Sequence, residues 1–338
     1  MFSYRDGVFK SEPAIVLTSL FVDSRSRLWK GKSAEISYRE NNRWVSVDIE
    51  KTLPLPWNKP EVFTGELSFI TEDRAGNMWF GTEAGLIRHA DGISRLFTVA
   101  DGLPSNVVTS YLFTRSGEMW IGTNAGIARM ENGQLQAFTE MDGLAGNYTR
   151  SFYEDADGTI WIGGYDGGLT RWKNGEFKKI TRRDGLFSDG VFVILEDDAG
   201  WFWMNSNQGI YRARKQELND FADGKTESVT SVSYGPEDGL LEVEGNGGKQ
   251  PAGLKAQDGR LWFPMAKGVA VIDPKTVKRE TSAPPVLVEE IRIDGKTFDI
   301  ADGIRLEPDQ VALEIDYTAL GFVGAERMRF RYRLEGLE

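Results

Sequence analysis

The chain contains no cysteine and only one histidine among its 338 residues. The first absence removes disulfides, thiolate catalysis and cysteine metal sites together. It leaves the compartment open, since a cysteine-free chain folds in an oxidising or a reducing space. The second excludes a zinc or iron site built on imidazoles, and, with no cysteine and the one histidine in an ordinary-looking setting, nucleophilic triads of the common kinds are not expected. His89 follows Leu86-Ile87 and precedes Ala90-Asp91-Gly92, a strand-to-turn position that reads as an ordinary surface or turn residue. Positive charge is also short: 40 Lys and Arg stand against 51 Asp and Glu, a net charge of −11. That balance argues against binding a phosphate backbone or an anionic membrane surface. No apolar run reaches the roughly 18 residues that a membrane-spanning helix needs. Met1-Phe2-Ser3-Tyr4-Arg5-Asp6 lacks the charged start and apolar core of a signal peptide.

What is present is a repeat. Glu72-Asp73-Arg74-Ala75-Gly76-Asn77-Met78-Trp79-Phe80-Gly81-Thr82 returns as Arg115-Ser116-Gly117-Glu118-Met119-Trp120-Ile121-Gly122-Thr123 and as Glu154-Asp155-Ala156-Asp157-Gly158-Thr159-Ile160-Trp161-Ile162-Gly163-Gly164. Weaker copies surround Trp29, Trp203 and Trp262. Trp79, Trp120, Trp161 and Trp203 follow one another at intervals of 41, 41 and 42 residues. A fixed period near 40 with one tryptophan per unit is the signature of a repeat architecture.

Within a unit the pattern is all β. Val107 to Thr114 is an apolar and β-branched run, Glu118 to Thr123 a second, Ile127 to Met130 a third and Gln134 to Thr139 a fourth. Turn residues such as Arg115-Ser116-Gly117 and Asn124-Ala125-Gly126 separate them. Four short antiparallel strands with short connections make one propeller blade. Only Arg212 to Phe221 suggests one or two helical turns. Each tryptophan is expected to pack against the next blade, and the Gly-Thr that follows it to be small because the axis is crowded. Asp155, Asp157 and Gly158 loosely suggest a calcium loop, but the closing glutamate and the further acidic ligands are missing. No metal site or cofactor is expected.

Six units carry the tryptophan. The interval from Trp29 to Trp79 stretches to 50 residues around Leu53-Pro54-Leu55-Pro56-Trp57-Asn58-Lys59-Pro60, and that from Trp203 to Trp262 to 59. Phe2 to Lys10 reads as the last two strands of an incomplete blade, expected to close the ring by pairing with the last one, so that sheet edges are hidden. The fold class is therefore an all-β propeller of about six to seven four-stranded blades over residues 1–283. From Ala283-Pro284-Pro285 the register changes. Val286 to Lys296, Val311 to Tyr317 and Met328 to Leu334 read as strands of a β-sandwich, residues 284–338, that stops mid-domain. The chain reads as part of a longer protein.

The motif Asp-Gly-Leu-x-x-Asn, carried by Asp101 to Asn106 and Asp142 to Asn147 and, ending in Asp, by Asp184 to Asp189, together with the tryptophan segments, resembles the two-component regulator propeller repeat. Leu313 to Leu320 and Phe330 to Leu337 resemble the three-tyrosine domain that follows such propellers, and Gly245 to Gly253 resembles the family's last blade. The resemblance covers nearly the whole chain. It implies the periplasmic, extracytoplasmic sensing part of an inner-membrane receptor, with a kinase, cyclase or other output elsewhere. It departs from the usual seven blades, and the membrane helix and output domain are not in this sequence.

Function is expected on the face where the turns before the first strand and between the second and third strands emerge. Those turns hold Asn106, Asn124, Asn147, Tyr165, Asp166, Asp189, Asn207, Glu244, Asn246 and Lys267. Amides, carboxylates and an aromatic ring on a concave face suit a small polar ligand or an oligosaccharide. Turns also favour Asn and Asp for their own geometry, so any one of these residues is equally read as scaffold. The alternatives are a glycan-degrading enzyme and a pure dimerisation module. Acidic residues recur in the hairpin of most units, which marks them as scaffold, whereas a catalytic set should occur once; no catalytic residue is assigned. A homodimer is expected in the intact receptor.

Overall fold

The computed structural model describes residues 2–5, 8–11, 19–32, 35–53, 66–277, 285–298, 312–319 and 330. The chain divides into two compact units, Met1–Pro274 and Lys275–Glu338.

In the first unit each tryptophan sits on the second strand of its own antiparallel sheet. The Trp120 blade runs Val108–Phe113, Met119–Thr123, Gly126–Glu131 and Gln134–Phe138, hydrogen-bonded in that order. The Trp161 blade repeats it with Thr149–Glu154, Ile160–Gly164, Leu169–Lys173 and Glu176–Ile180. The Trp29, Trp79 and Trp203 blades are also four-stranded, and the Trp262 blade has three strands among the described residues. First strands of successive blades lie side by side. Thr109 Oγ1 donates to the Thr149 carbonyl at 2.6 Å, and Ser151 Oγ to the Val191 carbonyl at 3.1 Å. The helical turns expected at Arg212–Phe221 form at Lys215–Ala222, three residues late, because Gly209–Arg214 is taken by the third strand of the Trp203 blade.

One expectation is corrected. Phe2–Arg5 and Val8–Ser11 pair with each other as a separate two-stranded sheet. Among the described residues they add no strand to the Trp262 blade, whose ladder stops at Gly268–Ile272. A hairpin closes its pairing locally, at far smaller entropic cost than joining a strand more than 250 positions away.

The repeated residues prove to be fasteners. Trp29, Trp79, Trp161 and Trp203 each donate the indole N–H to the aspartate six positions earlier: Asp23, Asp73, Asp155 and Asp197, at 2.7–3.0 Å. The other carboxylate oxygen takes backbone N–H groups of the hairpin, as Asp155 Oδ1 does from Asp157 and Thr159. Both oxygens of the motif aspartate are thus engaged by the turn and the indole. The neighbouring glutamate binds the preceding blade: Glu72 accepts from Ser24 N and Oγ, Glu154 from Arg115 N, and Glu196 from the Tyr153 hydroxyl. The Trp120 blade departs, with Phe113-Thr114 in place of Glu-Asp. Its indole N–H is buried and has no hydrogen-bond partner among the described residues. Phe113 packs instead edge-on to Trp79 of the blade before.

The Asp-Gly-Leu-x-x-Asn motif is likewise local chemistry. Asp101 accepts from Thr98 N at 2.9 Å, Gly102 takes a left-handed φ of 110°, Leu103 is buried, and Asn106 Oδ1 accepts from Val99 N at 2.9 Å. A side chain at Gly102 would be strained at that φ. The Gly after the tryptophan is small for the reason expected: a Cβ on Gly122 would overlap Ser110 Oγ, and one on Gly163 would overlap the Val191 carbonyl.

The second unit holds one antiparallel sheet among its described residues, in the order Lys296–Phe298, Val286–Ile293, Leu313–Ala319. The Tyr317 and Phe330 rings meet edge to face at 4.8 Å. The strand expected at Met328–Leu334 lies outside the described residues, apart from Phe330.

Candidate functional site

The site begins with an irregularity in the innermost strands. Between Leu67 and Phe69, Val108 and Ser110, and Thr149 and Ser151, the register against the second strand slips. One extra residue is left at each place: Ser68, Thr109 and Arg150. A bulge re-aims the side chain and frees backbone groups from the ladder. All three lie eleven positions before the tryptophan of their blade, and so do Phe192 and Pro251 in the last two blades. The position repeats while its residue does not.

A loop from the last blade closes over these bulges. Gly245 N donates to the Ser206 carbonyl and Asn246 N to the Pro264 carbonyl, both at 2.9 Å. Further on, Gln250 N donates to the Ser68 carbonyl at 3.0 Å and Gln250 Nε2 to the Arg150 carbonyl at 2.6 Å. Lys249 pairs with Glu66 at 2.9 Å and holds that carboxyl below its usual range. One segment thus touches the Trp79, Trp161, Trp203 and Trp262 blades. Its glycines permit the approach, since a Cβ on Gly247 would overlap Phe192, and one on Gly245 would crowd Asn205.

Between this loop and the blades lies a cavity of about 250 Å³, lined by Arg150, Tyr165, Phe192, Asn207, residues 244–248 and Ala266. The rings of Tyr148, Tyr165 and Phe192 stack in sequence, at 5.6 Å and 28° and then at 5.7 Å and 13°. The Arg150 guanidinium stands against all three, 4.4, 5.2 and 5.9 Å from their centres. Its Nε is buried with no hydrogen-bond partner, and no carboxylate lies within ion-pairing distance of it, among the described residues. Asn207 Nδ2 donates to the Tyr165 hydroxyl at 3.5 Å, a long contact that leaves most of both groups' hydrogen-bonding capacity free.

Of the residues expected from sequence, Tyr165, Asn207, Glu244 and Asn246 line this cavity. Lys267, at its rim, pairs with Glu242 at 3.3 Å. The Glu244 N–H, and then Lys267, hold the Glu242 carboxyl below the ordinary range. Asp166 is exposed in the turn beside Tyr165, and Asn124 is exposed in the turn of its own blade; neither is part of the lining. The side-chain oxygens of Asn106 and Asn147 receive the N–H groups of Val99 and Glu140 and hold their turns. Arg150 and Phe192 went unnoticed in the sequence. The signal was there: an unrepeated residue at a repeated position. His89 is partly buried on an outer strand, with Nδ1 2.9 Å from Ser94 Oγ, and burial lowers its pKa.

Comparisons with known proteins agree with the repeat. Residues 102–125 and 143–166 match the family model "Two component regulator propeller". No curated protein matches the chain at a significant level. Among solved structures, the extracellular domain of the hybrid two component system BT3049 from B. thetaiotaomicron superposes with a TM-score of 0.67 at 20% identity, covering 94% of this chain and 43% of that one. The extracellular domain of the one component system BT4673 from the same organism gives 0.56 at 18% identity, covering 84% and 42%. A catalytically inactive histidine-to-alanine variant of virginiamycin B lyase from Staphylococcus aureus, solved with quinupristin, gives 0.56 at 14% identity, covering 79% and 86%. The chain therefore spans less than half of the two extracellular domains it matches. With tryptophan-centred blades in series, the first unit is a β-propeller, and residues 102–125 and 143–166 within it match the two component regulator propeller repeat.

Proposed function

We propose that this chain is the sensing part of a bacterial signalling receptor, lying outside the cytoplasm, and that it takes a small polar ligand of carbohydrate class in the axial cavity. The observation that carries the reading is the concentration of unrepeated chemistry at one place. The Asp–Trp hairpin repeats in four blades, whereas the cavity combines Arg150, Tyr165 and Phe192, each unlike the residues at the equivalent places of other blades, with the amides of Asn207 and Asn246. Aromatic faces with a few polar groups around them fit a ring that is apolar on its face and polar at its edge. The volume of about 250 Å³ is close to the lower end of ligand sites, roughly 300 Å³, and suits a single ring. Similarity to extracellular domains of signalling systems supports the same reading. The second unit would be the three-tyrosine sandwich that relays the signal, in a receptor anchored in the inner membrane and acting as a homodimer.

The loop at 245–250 supplies a route for the response. It fastens four blades at once, so a ligand seated under it bears on their relative placement. Such a ligand shifts an equilibrium only by its difference in affinity for two states. Catalysis is the weaker reading, although the fold is shared with a lyase that one histidine substitution inactivates. The one histidine here lies on an outer strand, and Glu244 is the one carboxylate among the lining residues, where glycosidases need a pair.

The test is calorimetric titration and thermal melting with a saccharide panel, on the wild-type chain and on Tyr165→Ala, Asn207→Ala and Asn246→Ala. A raised melting temperature that the variants lose supports the proposal. If no saccharide stabilises the chain, or the variants bind unchanged, it fails; turnover of a glycan would establish the enzyme reading instead. Light scattering with and without ligand addresses the dimer.

A further inference from the structure

We infer that the axial cavity selects a ring bearing one carboxylate, a uronate-type saccharide, with Arg150 reading the charge. The inference rests on the polar-ligand reading above and narrows it.

Arg150 is the reason. A guanidinium has five donors in a planar fork and loses its charge at no ordinary pH. Charged side chains taken out of water are normally paired. This one is partly withdrawn from water: it leans on three aromatic rings, its Nε is buried, and no carboxylate reaches it among the described residues. Aromatic faces attract the cation and fix its plane but accept no N–H in the plane of the fork. The in-plane donors at the far end therefore await an acceptor with two oxygens, which a carboxylate supplies in bidentate form. Space for it exists on that side. The Cβ that Gly248 lacks would stand 3.5 Å from Arg150 Nη1 and 3.9 Å from Asn246 Oδ1, so glycine keeps the approach open.

The remaining lining sets the number of charges. Arg150 is the one cation there, and Glu244 also faces the cavity. One cation beside one carboxylate tolerates a single negative charge better than the two of a phosphate ester. Glu244 and the amides of Asn207 and Asn246 are placed for hydroxyls. The net charge of −11 does not oppose this. At physiological salt, charges farther than about 8 Å are largely screened, so the group in contact decides.

The experiment is calorimetric titration of the 338-residue chain with galacturonate, glucuronate, the methyl ester of galacturonate, galactose, glucose and inorganic phosphate. The uronates are expected to bind at least tenfold more tightly than the ester and the neutral sugars, and phosphate no better than those. Arg150→Met keeps most of the stem against the rings and should erase the preference. Arg150→Lys restores charge without the fork and should recover part of it. The ester comparison needs no variant, so it decides the matter even if a substitution harms folding. Neutral sugars or the ester binding as well as the uronates would overturn the inference and leave the polar-ligand proposal standing. Preference for phosphate would also overturn it. If no saccharide of either kind binds, both fall together.

Discussion

The two ends of a blade follow different rules. At the hairpin after the first strand the same fastening recurs in four blades, an aspartate holding the turn and an indole together. At the axial end the bulged or equivalent position holds Ser68, Thr109, Arg150, Phe192 and Pro251 in turn. Every blade must fold and pack against a neighbour, so the hairpin end meets the same physical demand each time. A ligand on the axis meets each blade from a different side, so identical residues there would serve no purpose. Repetition in this chain marks stability, and its interruption marks recognition.

That contrast can be broken most forcefully at the hairpin end. Trp161 is fully buried and bonded to Asp155. Trp161→Ala should cost about 3–5 kcal/mol in urea unfolding. Ligand preference in the molecules that remain folded should be unchanged; a changed preference would mean that the two ends are not separable.

At the axial end the effects should run the other way. Gln250→Ala removes the side-chain bond to the carbonyl of Arg150, worth about 1 kcal/mol. The expected outcome is a small loss of stability with a several-fold loss of ligand affinity, because the loop and the arginine backbone are no longer fixed to each other. Equal stability and equal affinity would remove the loop from the site.

The Trp120 blade sharpens the hairpin rule by breaking it. Its indole N–H lacks an acceptor among the described residues, since Thr114 replaces the aspartate. Thr114→Asp should supply one and raise stability by about 1 kcal/mol, read as a higher urea midpoint at unchanged slope. A loss would show that the Thr114 hydroxyl bonds to Ser116 and to the Glu118 backbone outweigh the indole.

The smallest effect is acid sensitivity. Burial pushes the Asp73 carboxyl up, but bonds from Trp79, Asn77 and Ala75 together outweigh it and hold the pKa below the ordinary value. Asp23 behaves alike, with Trp29 and Arg27 as donors against burial. A group depressed in the folded state lends stability that is complete above its unfolded pKa and is lost as pH falls through the folded one. Stability should therefore drop below the ordinary carboxylate range. Asp73→Asn should flatten that part of the profile, measured by thermal melting between pH 5 and about 2.

Sequence alone determined the blades. An indole held by the aspartate of its own hairpin and the Asp-Gly-Leu turn before the first strand are short-range requirements. Their partners stand within seven positions, as Asp155 does for Trp161 and Val99 for Asn106. Interactions that close within a turn leave their trace in the order of residues. Only the tertiary structure decided the site. Arg150 comes to face Phe192 and Gly248, and Gln250 N reaches Ser68, 182 positions earlier, because the blades curl around an axis. The separate hairpin at Phe2–Ser11 was decided there as well. Contacts of that range depend on how the sheets stack, and no local pattern encodes which loop will cross the centre.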